Sequence, residues 1–267
     1  MIAVVLAIAL LASAIGAVCG IGGGIIIKPV LDAAGVADAA TVNFLSGCTV
    51  LAMTLYSVAR GRAARPARPA PPRVAGSRTD LPLAIGAAAG GLAGKRLFDL
   101  AAHALGDLSL AGALQAAVLF LVTLGTLVYT LNRARIRPRH TSGALPCLAI
   151  GLALGVCSSF LGIGGGPINL VVLFHFFGMS TKRAAASSLR VILLSQGVST
   201  LVTLVAGGAA GVDPVLVAAM VACGIAGGVV GRAANARIDD ATVNRLFVAL
   251  MVAILAVNAF NVAKLLA

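Results

Sequence analysis

The sequence predicts an all-α integral membrane protein built from two inverted-topology repeats of about five helical segments each, with a broken half-helix after each of two glycine clusters. Hydrophobic residues make up 60% of the 267 residues, charged residues 10%, and the mean hydropathy is +1.06. Soluble domains contain about 25% charged residues, so this chain lacks the polar surface that water requires. Its apolar residues occur in long runs, which favours helices over the short alternating strands of a membrane barrel.

The apolar residues form ten segments, and most of them reach the roughly 17–25 residues that crossing a bilayer requires. Their approximate bounds are 2–19, 24–35, 41–59, 81–98, 110–132, 144–161, 166–178, 183–205, 213–232 and 241–265. The first lacks a basic start and continues into the second, so we expect a retained helix rather than a cleaved signal peptide. The segments at 24–35 and 166–178 have only about 12 residues, or roughly 18 Å of helix, against a hydrocarbon core of about 30 Å. We therefore predict that these two are half-helices.

Lys and Arg residues concentrate in the loops and account for the net charge of +12. They cluster at 60–80, 133–140, 182–183 and 232–245, whereas the loops near 36–40, 99–109 and 206–213 contain acids and no Lys or Arg. Basic loops stay in the cytoplasm, so one orientation satisfies every loop and leaves no reason to invoke nucleic acid. The Arg- and Pro-rich stretch 60–80 is predicted to be a disordered cytoplasmic linker; a surface that holds anionic membrane lipids is the alternative.

The two halves of the chain resemble each other. "GIGGGIIIKPVLDAAGVADAATVNFL" (Gly20–Leu45) parallels "GIGGGPINLVVLFHFFGMSTKRAAASSL" (Gly162–Leu189). This predicts a first membrane repeat over 1–135 and a second over 136–267. The charge pattern places the 36–40 turn outside and the 179–183 turn inside, which gives the repeats opposite topology. Inverted repeats of this kind are typical of transporters.

The repeated glycine cluster predicts a site for an anion. Irregular backbone at membrane depth is tolerated only inside protein or beside water, and glycines leave backbone N–H groups uncovered. The half-helix that follows begins with free N–H donors and a partial positive charge. The predicted backbone site consists of Gly22, Gly23, Gly24, Gly164, Gly165 and Gly166. The alternative is that these glycines only allow helices to pack closely.

The doubled GxGGG motif, with Pro29 and Pro167 close behind it, resembles the sulfite exporter TauE/SafE family of membrane transporters. The "A-x-x-S-S-L" start of the next helix (Ala184–Leu189) is similar to that family as well. The resemblance covers most of the chain. It implies a transporter of small sulfur-containing anions such as sulfite and sulfonates, and it leaves the anion open.

Several side chains inside apolar segments are candidate anion ligands. Lys28 lies about one turn after Gly24, and Arg190 lies roughly 10 Å into its helix; snorkelling to the membrane surface is the alternative for each. Neutral donors that could replace the water shell of an oxyanion complete the predicted site, and these are Asn43, Ser187, Ser188 and Gln196. Such groups also bond to neighbouring helices, which remains open for each of them.

Together these features predict a secondary transporter or facilitator of small oxyanions in a bacterial cytoplasmic membrane, with sulfite or an organosulfonate as the expected substrate. Alternating access is the predicted mechanism, and an anion channel with the same half-helix site is the alternative. No Asp or Glu lies deep in an apolar segment. Export could therefore run on the membrane potential alone, which supplies about 2.3 kcal/mol per charge per 100 mV. No enzymatic activity, cofactor or metal site is predicted, and a homodimer is left open.

Overall fold

A computed structural model describes residues 2–63, 80–106, 108–209 and 211–266 of the chain. Within these residues the secondary structure is helical, as the sequence predicts. Ten α-helices follow one another as α1 (Ile2–Cys19), α2 (Gly24–Ala34), α3 (Ala39–Ala63), α4 (Asp80–Leu105), α5 (Leu108–Leu131), α6 (Ala144–Phe160), α7 (Pro167–Phe177), α8 (Thr181–Val205), α9 (Pro214–Arg237) and α10 (Asp240–Leu266). Most of the predicted linker, residues 64–79, lies outside the described residues.

Six of the described helices are long and apolar enough to cross a membrane, namely α1, α3, α5, α8, α9 and α10. Their outer faces carry large apolar side chains that no other helix covers; Leu121 and Leu201, for example, are 65% and 60% exposed. Such surfaces suit lipid rather than water. The 26-residue α4 has the length to cross but is less apolar, and α6 and α7 are shorter apolar helices.

Both glycine clusters interrupt the helices. After α1 ends at Cys19, Gly20 and Gly22 adopt φ of 73° and 77°, and α2 begins at Gly24. After α6, Gly164 has φ of 64°, and α7 begins at Pro167. A side chain makes positive φ unfavourable, so glycine is the residue that ends a helix in this way. The two helices that follow have 11 residues each, close to the predicted half-helices.

The two halves of the chain pack into one another rather than side by side. The most extensive contacts join α4 to α6 and α1 to α9, and α3 and α8 pack together near the centre. Glycines on α4 and α9 lie against backbone carbonyls of the partner helix, so that the axes approach closely. These pairs are Gly90 with Leu152, Gly94 with Val156, Gly227 with Leu10 and Gly231 with Ala14. Small residues at such interfaces are the usual means of helix association in lipid.

Candidate functional site

The two glycine clusters meet at the centre of the molecule. A Cβ atom placed on Gly24 would lie 2.7 Å from the carbonyl carbon of Ile163 and 2.8 Å from the Ser46 hydroxyl oxygen. One placed on Gly22 would lie 3.3 Å from the carbonyl oxygen of Gly164. The two backbones therefore touch where side chains would keep them apart. We call this region the glycine crossing, and it comprises Gly20–Gly24 and Gly162–Gly166.

Backbone donors are available at the glycine crossing. In the described part of the chain, no backbone carbonyl accepts a hydrogen bond from the N–H groups of Gly22–Gly24 or Gly164–Gly166. The helix α2 begins at Gly24, and α7 begins at Pro167, directly after Gly166, so the positive ends of both helix dipoles lie at the crossing. Free N–H groups at helix N-termini are suited to negatively charged ligands.

Buried polar side chains with unused hydrogen-bonding capacity lie on α3, α7 and α8, the helices next to the crossing. Ser46, Asn169 and Ser188 are each 0% exposed, and their side-chain oxygens have no hydrogen-bond partner within the described residues. Gln196 is 4% exposed, and its Oε1 atom is unpartnered while its Nε2 donates to Thr200 at 3.2 Å. Buried polar atoms in native proteins are almost always paired, so a group of unpaired ones indicates a place for water or a polar ligand.

A polar cavity of about 200 Å³ leads to the crossing from one end of the bundle. Its lining includes Ala40, at the start of α3, and Gly208, after α8, as well as Gly162 and Gln196, which lie at the crossing. Its polar lining consists of Asn43, Lys95, Asp99, Ser159, Gln196, Ser199, Thr200 and Thr203. Since a water molecule occupies about 30 Å³ in the liquid, the cavity can hold several waters or one small oxyanion.

On the side away from the polar cavity, apolar side chains cover the crossing. Val50 and Ile192 are both 0% exposed and lie against Gly22. They belong to a cluster that we call the apolar plug, made up of Ala17, Val50, Met53, Leu189 and Ile192. On α3, the plug residue Val50 follows the cavity residue Asn43 by about two helical turns. On α8, the plug residue Ile192 precedes the cavity residue Gln196 by about one turn. The crossing is thus reached by the polar cavity on one side and covered by the plug on the other.

The structure brings some of the predicted ligands together. Asn43 and Gln196 line the polar cavity, with Asn43 packed against Gly162. Ser188 is fully buried on α8, and Ser187 is 7% exposed on the same helix. The predicted glycines form the crossing itself. The assignment of these residues to an anion site stays a prediction.

The two predicted cations do not line the polar cavity. Lys28 is 1% exposed, and its Nζ lies 3.1 Å from the carboxylate of Asp32, one turn further along α2. It therefore does not snorkel to the surface, and its charge already has a partner. Arg190 is exposed on the face of α8 that also carries Leu194 and Leu201, which are 40% and 60% exposed. That face points away from the helix neighbours that bury Gln196.

Other cavity residues were not predicted from the sequence. Lys95 and Asp99, near the end of α4, line the polar cavity and form an ion pair with an Nζ–Oδ1 distance of 2.7 Å. Ser159, at the end of α6, is 5% exposed with an unpartnered hydroxyl. The signal for Lys95 was a cation inside the apolar segment 81–98, with an acid four residues later on the same helical face.

Comparison with known proteins identifies a family. A family model described as "Sulfite exporter TauE/SafE" matches residues 5–258 of the chain, and so confirms the resemblance carried by the doubled glycine motif. No curated protein and no solved structure matches the chain significantly. Members of that family are membrane transporters, which agrees with the six helices capable of crossing a bilayer within the described residues and makes this a multi-pass membrane protein.

Proposed function

Because the chain belongs to the sulfite exporter TauE/SafE family, we propose that it carries a small oxyanion, sulfite or an organosulfonate, across the cytoplasmic membrane by alternating access. The observation that carries this proposal is the glycine crossing. There, two helix N-termini and unpaired backbone N–H groups converge at the end of a polar cavity. Sulfite and sulfonates present three oxygen acceptors, and several short donors around them can replace their hydration shell.

The bound anion would be held by neutral groups. Backbone N–H groups of the glycines supply donors from two directions, and the hydroxyl of Ser46 lies beside them. Gln196 can add the second N–H of its Nε2 group, since the first donates to Thr200. Hydrogen bonds to a charged acceptor contribute about 1.5–3 kcal/mol each, net of the bonds to water that they replace, so a few of them can hold a small oxyanion. Neutral donors also bind the anion without trapping it permanently, as transport requires.

Recurring contacts support the proposed inverted repeats. Gly20 packs against Ala185, and Gly162 packs against Asn43. Gly162 lies 142 positions after Gly20, and Ala185 lies 142 positions after Asn43, so the two contacts are equivalent. The contact of Gly227 with Leu10 recurs in the contact of Gly90 with Leu152, where the two leucines are again 142 positions apart. Such pairs of equivalent contacts are what a two-fold axis through the glycine crossing would produce. With the basic loops in the cytoplasm, the proposed axis would lie in the membrane plane.

The position of the apolar plug favours a carrier over a channel. With the basic loops in the cytoplasm, the polar cavity opens to the outer face and the plug separates the crossing from the cytoplasm. In the proposed alternating-access cycle this conformation would be the outward-facing state. If the two halves are inverted repeats, exchanging their conformations would close the cavity and open a path past the plug.

Flux measurements in proteoliposomes test this function. The purified protein is reconstituted and offered sulfite, sulfoacetate, sulfate, thiosulfate and lactate in turn, with protein-free liposomes as the control. We expect saturable flux of sulfite or a sulfonate, and acceleration of labelled substrate when unlabelled substrate is present on the opposite side. Flux that rises linearly with concentration and shows no counter-exchange would favour the channel. Absence of flux for every anion would refute the proposal.

A further inference from the structure

The polar cavity holds two charged side chains, Lys95 and Asp99, which belong to the last turns of α4. The Lys95 side chain is 17% exposed and the Asp99 side chain 43% exposed. Their 2.7 Å contact leaves this part of the cavity wall with no net charge. Lys95 also lies over the ring of Phe98, with its Nζ 5.2 Å from the ring centroid, which fixes the ammonium against the wall.

The two partners differ in how readily they can separate. Lys95 is the more buried of the two, and its ammonium group stays in contact with the ring of Phe98 when the carboxylate moves away. Asp99 is the more exposed, so its carboxylate can turn into water at little desolvation cost. Rotation of Asp99 alone would thus uncover a cation inside the cavity.

An oxyanion in the cavity could replace Asp99 as the ion-pair partner of Lys95. Both present negatively charged oxygens to an ammonium group that has three donors. Ser159, Gln196 and Thr200 line the same cavity, and Thr200 accepts from Gln196, which leaves the threonine hydroxyl proton free to donate to the anion. An anion exchanged onto Lys95 would therefore find neutral donors beside it, on the way to the glycine crossing.

We propose that Lys95 is the outer anion-binding residue of the polar cavity and that Asp99 competes for it when the cavity is empty. The ligand class is a small monovalent or divalent oxyanion. This inference rests on the proposed transport function and assigns its first binding step. The pair would select for negative charge at the mouth, because a neutral solute cannot displace a carboxylate from an ammonium group.

Two substitutions should change sulfite affinity in opposite directions. Asp99→Asn removes the competing charge and should lower the dissociation constant for sulfite several-fold. Lys95→Gln removes the cation and should raise it roughly tenfold to a hundredfold, as expected for a lost hydrogen bond between charged groups. Lys95→Arg should keep affinity close to that of the parent. Arg96→Gln is the matched control, since Arg96 is exposed on the same turn of α4 and does not line the cavity.

Titration calorimetry of sulfite into purified protein, with a melting curve for each variant, gives the readout. Opposite shifts for Asp99→Asn and Lys95→Gln, with no shift for Arg96→Gln, would bear out the proposal. Equal weakening by Asp99→Asn and Lys95→Gln would mean that the pair is structural, and unchanged affinity in both would also overturn the assignment. These outcomes assume a parent that binds sulfite. A parent that neither binds nor transports any anion would refute the proposed function itself.

Discussion

Gly24→Ala is the smallest change that should separate the two glycine clusters. Gly24 is the first residue of α2 and does not need positive φ, so the backbone itself accepts alanine. The new methyl group, however, would lie 2.7 Å from the carbonyl carbon of Ile163, where carbon atoms prefer about 3.5–4.0 Å. The two segments must therefore move apart by about 1 Å. Overpacking of this size costs about 1–3 kcal/mol of stability.

The displacement should affect transport more than stability. Misplacement of binding groups by about 1 Å can cost about a hundredfold in rate, so we expect at least a tenfold loss of anion flux in proteoliposomes. Gly125→Ala is the matched control, because Gly125 also lies within a helix but has nothing within 4 Å of the added Cβ position. That variant should keep its flux and gain up to about 1 kcal/mol from alanine's higher helix propensity. If Gly24→Ala melts and transports like Gly125→Ala, the close contact at the glycine crossing has no functional importance.

Three further outcomes are expected. In a cysteine-free background, a cysteine placed in the 60–80 linker should react only with reagents on the cytoplasmic side, and labelling from outside intact cells would reverse the orientation. Gln196→Leu should weaken anion binding roughly tenfold by calorimetry, whereas Arg190→Met should change it little because Arg190 lies on the exposed face of α8; the opposite ranking would return Arg190 to the site. The carboxylate of Asp38 accepts hydrogen bonds from the N–H groups of Ala40 and Thr41 at 2.9 Å. Asp38→Ala should therefore lower the free energy of unfolding by about 1 kcal/mol, and Asp38→Asn, which keeps an acceptor, should lower it less. Equal melting temperatures for both variants and the parent would contradict this.

The helices and their interruptions could be predicted because each has a local cause. Runs of apolar residues fix where helices lie, and the glycines before Gly24 and before Pro167 fix where two of them break. These signals depend on neighbouring residues in the chain and on the thickness of a bilayer. Asn43 and Gln196 line the polar cavity, as expected for polar side chains in apolar segments, which usually face protein or a cavity. Their role as anion ligands stays a prediction.

The rotation of each helix about its axis could not be predicted in the same way. In lipid, apolar side chains cover both the buried and the exposed faces, so hydrophobicity does not tell which face of α8 carries Gln196 and which carries Arg190. Charge pairing was missed for a related reason. Lys28 with Asp32 and Lys95 with Asp99 have the same spacing in sequence, yet only the second pair lines the polar cavity, because that depends on how α4 packs.

Direct location of a bound anion tests the proposed site most sharply. Selenite is the selenium analogue of sulfite, and its anomalous scattering marks its position in crystals of the protein. In a sample shown to transport selenite, we expect an anomalous peak at the glycine crossing, within hydrogen-bonding distance of N–H groups of Gly22–Gly24 or Gly164–Gly166. A peak confined to the loops or to the exposed arginines, with the crossing empty, would contradict an anion site formed by the two broken helices.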